Sequence, residues 1–161
     1  MEKILLASHP ILASFLVSFL SNNKYSADWY NNLKKSPLTP PGPVFPIVWT
    51  VLYILLGLNI LYVYNKIKNL NRPYFFDYEF VKRYFIPFEL QLVLNLSWSI
   101  FFFKFKKPVI SLLIVCLMVF ITAYLLYRCW FIDKTAFYLL VPYFIWILFA
   151  TYLNSYIVLK N

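Results

Sequence analysis

Charge, glycine, cysteine and histidine are all scarce in this chain. Charged residues make up 13% of its 161 positions, about half the share of an ordinary soluble domain. With so little charge and so much apolar surface to bury, the chain is not intrinsically disordered. Only Cys116 and Cys129 are cysteine, which excludes a disulfide scaffold. They fall on one expected helix, about 20 Å apart along its axis, too far to bridge. Gly42 and Gly57 are the only glycines, so a glycine-lined helix seam is not the expected packing device. His9 is the single histidine. The apolar runs contain no Ser/His/Asp set, no paired carboxylates and no cluster of metal ligands, so conventional catalysis and a metal centre are poorly supported.

What is present is apolar and aromatic. Hydrophobic residues account for 62% of the chain and aromatics for 22%, with 17 Phe, 14 Tyr and 5 Trp. A soluble fold of this size has too much surface for its volume to hide that content. The expectation is an all-α integral membrane bundle, a single domain over 1–161. A spanning helix takes about 20 apolar residues, and five runs qualify, at about 4–20, 44–64, 80–103, 108–130 and 135–159. The first could also be a cleavable signal segment, but its apolar core is long for one, and a retained helix is the reading. Residues 21–43 form a polar connection that turns proline-rich, with five prolines from Pro37 to Pro46. Proline fixes φ and removes donors, so this segment holds a shape and is placed as a lid across one end of the bundle.

The formal net charge of +9 comes from 15 Lys and Arg against 6 Asp and Glu. The cations lie mostly between the apolar runs, at Lys66, Lys68 and Arg72 and at Lys104, Lys106 and Lys107, where they meet lipid headgroups. No basic stripe shares a helix face with stacking aromatics, so nucleic acid is not an expected partner. Divided by side of the membrane, the cations split eight against seven, which leaves insertion direction undetermined by the positive-inside rule.

Three helix faces carry candidate chemistry. Gln91, Asn95, Trp98 and Phe102 share one face of the third run at helical spacing. Amides are costly in lipid unless paired, so this face points inward, as interhelical glue or as a ligand site. Tyr143, Trp146, Ala150 and Leu153 share a face of the fifth run, with Asn154 beside them; a large ring next to a small Ala makes a step where a flat molecule can lodge. Trp49 and Tyr53 lie one turn apart just after the proline segment, as a site wall or as part of an interfacial aromatic belt. His9 reads as a hydrogen-bonded neutral residue, haem-iron ligation being the alternative. Glu89 is an ionisable group near the start of a span, functional or interfacial.

These residues form a recognisable pattern. Trp29-Tyr30, Leu33 and Lys35 precede Pro40-Pro41, Phe45-Pro46-x-Val48-Trp49-Thr50-x-Leu52-Tyr53 and Gly57. Gln91-Leu92-x-Leu94-Asn95-x-x-Trp98-Ser99-x-Phe101-Phe102 follows, and then Pro142-Tyr143-x-x-Trp146-x-x-Phe149-Ala150-x-x-Leu153-Asn154. In order, spacing and total length the chain resembles the tryptophan-rich sensory protein and translocator protein family, also called the peripheral-type benzodiazepine receptor. It departs at Lys35-Ser36-Pro37-Leu38, where the family commonly has a Trp, and at Ser111, near which the family often has an acidic residue.

The resemblance implies a five-helix bundle, a homodimer, and a pocket between the helices beneath the first loop. It implies porphyrins such as protoporphyrin IX and haem as ligands, with sterol or lipid as the other occupant. No cofactor is required, porphyrin or haem entering only as ligand. Carried over by position, the implied lining is Tyr30, Pro41, Trp49, Tyr53, Asn95, Trp98, Trp146, Ala150 and Leu153, with Lys34 and Lys35 placed to attract propionates. Trp49 and Trp146 occupy the positions of tryptophans used by members that resemble light-dependent porphyrin-degrading proteins, which makes them the catalytic candidates of an enzymatic alternative. Leu153–Lys160 fits the loose cholesterol-recognition pattern, whose plainer reading is a helix end with an interfacial Tyr and Lys. An excess of Lys over Arg with abundant Asn, Ile, Tyr and Phe points to a bacterial cytoplasmic membrane, with the mitochondrial outer membrane as the alternative.

Overall fold

The computed structural model describes residues 2–21, 24–70 and 73–161, and these are helical apart from the loop before Val44 and short turns. The elements in order are α1 (Glu2–Ser21), α2 (Lys24–Asn31), α3 (Val44–Lys68), α4 (Pro73–Phe76), a π-helical stretch (Asp77–Phe85), α5 (Ile86–Ser99), a second π-helical stretch (Ile100–Lys104), α6 (Pro108–Ile132) and α7 (Lys134–Lys160). Among the described residues, four helices are long and apolar enough to cross a membrane: Val44–Lys68, Tyr78–Lys104, Pro108–Ile132 and Lys134–Lys160. In α1 the apolar stretch that qualifies is shorter, Lys3–Ala13. The chain is an integral membrane protein with an all-helical fold. Arg72, one of the cations placed between the spans, lies outside the described residues.

The connection at 21–43 is not all loop. Lys24–Asn31 is helical, because the prolines that forbid a helix begin only at Pro37. Lys35 ends it: its ammonium donates to the carbonyls of Tyr30 at 2.8 Å and Asn31 at 3.0 Å and lies over the Tyr30 ring. Cations suit the negative end of a helix dipole. Asp133 starts α7 by the opposite device, its carboxylate accepting the Ala136 N–H at 3.0 Å.

The long helices are apolar on every side, as membrane helices are. On α6 the outward face carries Leu113, Leu117, Phe120, Tyr124, Tyr127 and Phe131, while Ser111, Val115, Met118, Thr122, Leu125 and Cys129 turn inward. The inward faces of α3, α5, α6 and α7 form one core. One glycine does serve as a close-packing device, against expectation. A Cβ on Gly57 would lie 2.0 Å from the Ala7 backbone oxygen, so α1 docks on α3 where the side chain is missing.

Candidate functional site

Three helices, α3, α5 and α7, contribute a polar layer in the middle of the core. Tyr53 on α3 donates its hydroxyl to Asn95 Oδ1 at 2.7 Å. Asn95 Nδ2 donates to the Tyr143 hydroxyl at 2.7 Å, and the Gln91 amide meets the same hydroxyl. Tyr53, Gln91, Asn95 and Tyr143 are all buried. These bonds fit the glue reading of the amide face: both side chains are bonded across helices, as buried polar groups usually are, with Gln91 Oε1 alone left without a partner.

An aromatic cluster stands on this layer. Trp49 stacks on Tyr53 with ring centroids 5.7 Å apart and meets the edge of Tyr143 at 6.3 Å. Trp146 stands at 89° to Trp49 with centroids 6.3 Å apart, and Phe45 closes on Trp146 at 6.0 Å. The Trp146 Nε1 is buried without a hydrogen-bond partner, although a buried indole N–H usually finds one.

Trp98 joins a second cluster nearby. It stacks on Phe102 at 5.0 Å, and Phe102 in turn meets Trp29 at 5.5 Å and Tyr30 at 6.1 Å. Its indole N–H donates to Asn154 Oδ1 at 3.1 Å, and Asn154 Nδ2 donates to the Pro108 carbonyl at 2.8 Å. Burial pushes the Tyr30 phenol up, so it stays a neutral donor.

The lid segment crosses this end of the bundle. Ser36 Oγ lies 2.9 Å from the Tyr152 hydroxyl. The Asn161 side chain accepts the Lys34 N–H at 2.9 Å and donates to the Lys34 carbonyl at 3.2 Å. Trp49, Trp98 and Trp146 are half-buried with their rings packed on the core.

The expected lining residues thus fall into groups. Trp49, Tyr53 and Trp146 come together in the first cluster, with Ala150 packed against the same core and Leu153 buried on the same helix. Asn95 lies beneath them. Trp98 and Tyr30 belong to the second cluster. Pro41 is exposed, and its recorded role is a backbone one, accepting the Val44 N–H that opens α3 at 3.0 Å; Phe45 is the lid-side ring that touches Trp146. Lys35 is engaged by carbonyls, which leaves Lys34 as the exposed cation of that pair. His9 sits away from this end. Its Nδ1 donates to the Leu6 carbonyl at 2.7 Å, and its Nε2 lies 2.8 Å from Glu89 Oε1, so both ring nitrogens are occupied. Among the described residues no group of three or more His, Cys, Asp or Glu could hold a metal.

The TspO/MBR family model matches residues 6–159. The chain belongs to the TspO/MBR family. It is 37% identical over 137 residues to a tryptophan-rich protein TspO of Chlorobaculum tepidum, covering 84% of this chain and 81% of that one. It is 32% identical over 127 residues to a tryptophan-rich sensory protein of Cereibacter sphaeroides, covering 79% and 73%. A translocator protein of Bos taurus matches at 28% over 132 residues, covering 78% and 70%.

Two contacts of this candidate site cannot be read from one helix face. Phe45 lies one turn before Trp49 on the same face of α3, but its contact with Trp146 depends on the packing of α7. Asn154 was visible beside the α7 face, but its bond to Trp98 depends on the neighbouring helix.

Proposed function

We propose that the protein is a membrane sensor or carrier that binds a flat tetrapyrrole against the Trp49–Trp146 corner, under the lid. The observation that carries this reading is the unpartnered Trp146 Nε1, held beside two rings that meet at 89°. Stacking surfaces with a few directional polar groups are what a planar apolar ligand needs. Lys34, exposed at the rim, supplies a cation for a propionate. In full, the proposal has α1 as the fifth span of a homodimeric bundle in a bacterial cytoplasmic membrane. The family membership and the names of the relatives, tryptophan-rich sensory protein among them, support it.

Titration of the purified protein with protoporphyrin IX tests it: Trp fluorescence is expected to quench with a micromolar isotherm. Replacing Trp49 and Trp146 together by Phe should weaken binding at least ten-fold, a stacking loss of about 0.5–1.5 kcal/mol per ring pair plus contact area. An unchanged isotherm overturns the reading. A sterol or lipid that co-purifies in the bundle, with no porphyrin affinity, would assign the site to that occupant.

The edge contact of Trp49 with Trp146 favours one second reading, light-dependent breakdown of the bound porphyrin through these two indoles. Illumination in air should then bleach the Soret band faster than for porphyrin in detergent. Equal rates exclude it.

A further inference from the structure

A second group of unusual side chains lies at the end of the bundle away from the lid. Glu79, on the first π-helical stretch, takes two guanidinium groups. Its Oε1 accepts from Arg83 Nη1 at 3.0 Å, and its Oε2 accepts from Arg128 Nη2 on α6. The side chains of Glu79 and Arg128 are each 13% exposed, and that of Arg83 is 42% exposed. Two cations share one anion, so the cluster is net positive. Asp133, the next acid along α6, is engaged elsewhere: it accepts the Ala136 N–H and pairs with Lys66. Arg128 also has its Nε buried without a partner. Burying a guanidinium is costly unless its charge and its donors are met, and one shared carboxylate leaves this one under-compensated.

The fold sets what covers this surface. The 25 residues of α6 span about 38 Å, against a hydrocarbon core of about 30 Å. Arg128 lies one turn from the end of α6, and Glu79 and Arg83 lie near the start of the span Tyr78–Lys104. The cluster therefore sits where hydrocarbon meets headgroups. Rings frame it. The Arg83 guanidinium lies over Tyr78 at 5.1 Å, the Tyr124 hydroxyl donates to the Arg83 carbonyl at 3.1 Å, and Tyr127 packs on Phe131. All four rings are exposed, as are Phe120 and Leu117, which continue the Tyr124 face of α6 toward the middle of the membrane.

A guanidinium offers a phosphate parallel donors in a planar fork, and basic pockets between membrane helices suit anionic headgroups. A phosphatidylcholine carries its own cation. A phosphatidylglycerol leaves its phosphate charge for the arginines.

We propose that Arg83 and Arg128 hold the phosphate of an anionic phospholipid at this corner, with an acyl chain along Tyr124, Phe120 and Leu117. The site lies at the opposite end of the bundle from Trp49 and Trp146 and is independent of the tetrapyrrole reading.

The test places the full chain in nanodiscs with equal amounts of phosphatidylglycerol and phosphatidylcholine and counts the retained lipid by native mass spectrometry. The wild type should retain phosphatidylglycerol in preference, by about five-fold for the one uncompensated cation. Arg83→Gln leaves Arg128 neutralised by Glu79 and should abolish the preference; the pair it breaks is a part-exposed one within a single helix, worth little to the fold. Glu79→Gln frees both guanidinium groups and should raise the preference, whereas a cluster that only ties the helices together would gain nothing from it. Lys106→Gln removes an equal charge from the lid end and should change nothing. Inorganic phosphate should not displace the lipid, because it has no chain to lie on α6. A wild type without preference, an equal fall in Arg83→Gln and Lys106→Gln, a preference not raised in Glu79→Gln, or displacement by inorganic phosphate overturns the proposal; the last would assign the site to a soluble anion.

Discussion

At Gly57 a single missing methyl decides how α1 docks. Its hypothetical Cβ would meet a backbone oxygen, that of Ala7, at 2.0 Å, and a carbonyl cannot swing aside as a side chain can. Gly57→Ala is therefore expected to push α1 off α3 and to destabilise the bundle by about 1–3 kcal/mol, despite the higher helix propensity of Ala. Thermal unfolding in detergent checks this; a raised midpoint would mean that α1 does not approach so closely. Tyr53 is a second such position. Tyr53→Phe keeps the ring under Trp49 but leaves the buried Asn95 Oδ1 without the 2.7 Å donor it now has. The expected loss is about 1–3 kcal/mol, again read as a drop in the unfolding midpoint, with the Trp49 stacking surface intact. His9 illustrates how an isolated polar residue in an apolar helix is settled by its neighbours. Pro10 has no N–H, which frees the Leu6 carbonyl, and His9 Nδ1 fills it. That bond uses the Nδ1 proton and turns Nε2 to Glu89, so the two ionisable residues singled out in the sequence form one pair between α1 and α5.

At the scale of the element, the same proline logic recurs and yields a sharper prediction. Pro87 near the start of α5 frees the Arg83 carbonyl, and the Tyr124 hydroxyl of α6 donates to it at 3.1 Å. In lipid such a carbonyl must find a donor. Tyr124→Phe should cost about 1 kcal/mol, but close to nothing in a Pro87→Ala background, where the helix supplies its own N–H. Equal losses in both backgrounds, measured by chemical or thermal unfolding, would show that the hydroxyl does not serve the proline. This also marks where the sequence stops being legible. Proline positions and the Gln91–Asn95–Trp98–Phe102 face are visible as patterns, because three or more informative residues repeat at helical spacing. Asn59 and Tyr124 are single polar groups on helices that are apolar all round, so periodicity carries no signal about which way they point. Their meaning comes from register with a neighbouring helix. The helix at Lys24–Asn31 was hidden for a different reason: the prolines that begin at Pro37 lent their character to a longer segment than they control.

At the scale of the whole molecule, the site depends on how the lid is held to the bundle. The aromatic walls come from α3, α5 and α7, which are firmly packed in the common core. The segment across them is fastened at few points. Trp29 and Tyr30 rest on Phe102, and Ser36 on Tyr152. The Asn161 carboxamide clasps the backbone of Lys34 with one bond accepted and one donated, so the end of α7 is tied to the lid. These last bonds are exposed, and each contributes little to global stability. They bear instead on a local opening, whose free energy can be far smaller than that of unfolding. Asn161→Ala combined with Ser36→Ala should leave the unfolding midpoint within a degree or two while removing up to three lid bonds. At about 0.5–1.5 kcal/mol each, their loss should speed lid opening by at least ten-fold. If the ligand enters under the lid, both association and dissociation of protoporphyrin IX in stopped-flow fluorescence should rise together, with the equilibrium affinity changed much less than either rate. An accelerated dissociation alone would mean that these residues hold the ligand rather than the lid. Rates that do not change would place the entry route between the helices, from the lipid side.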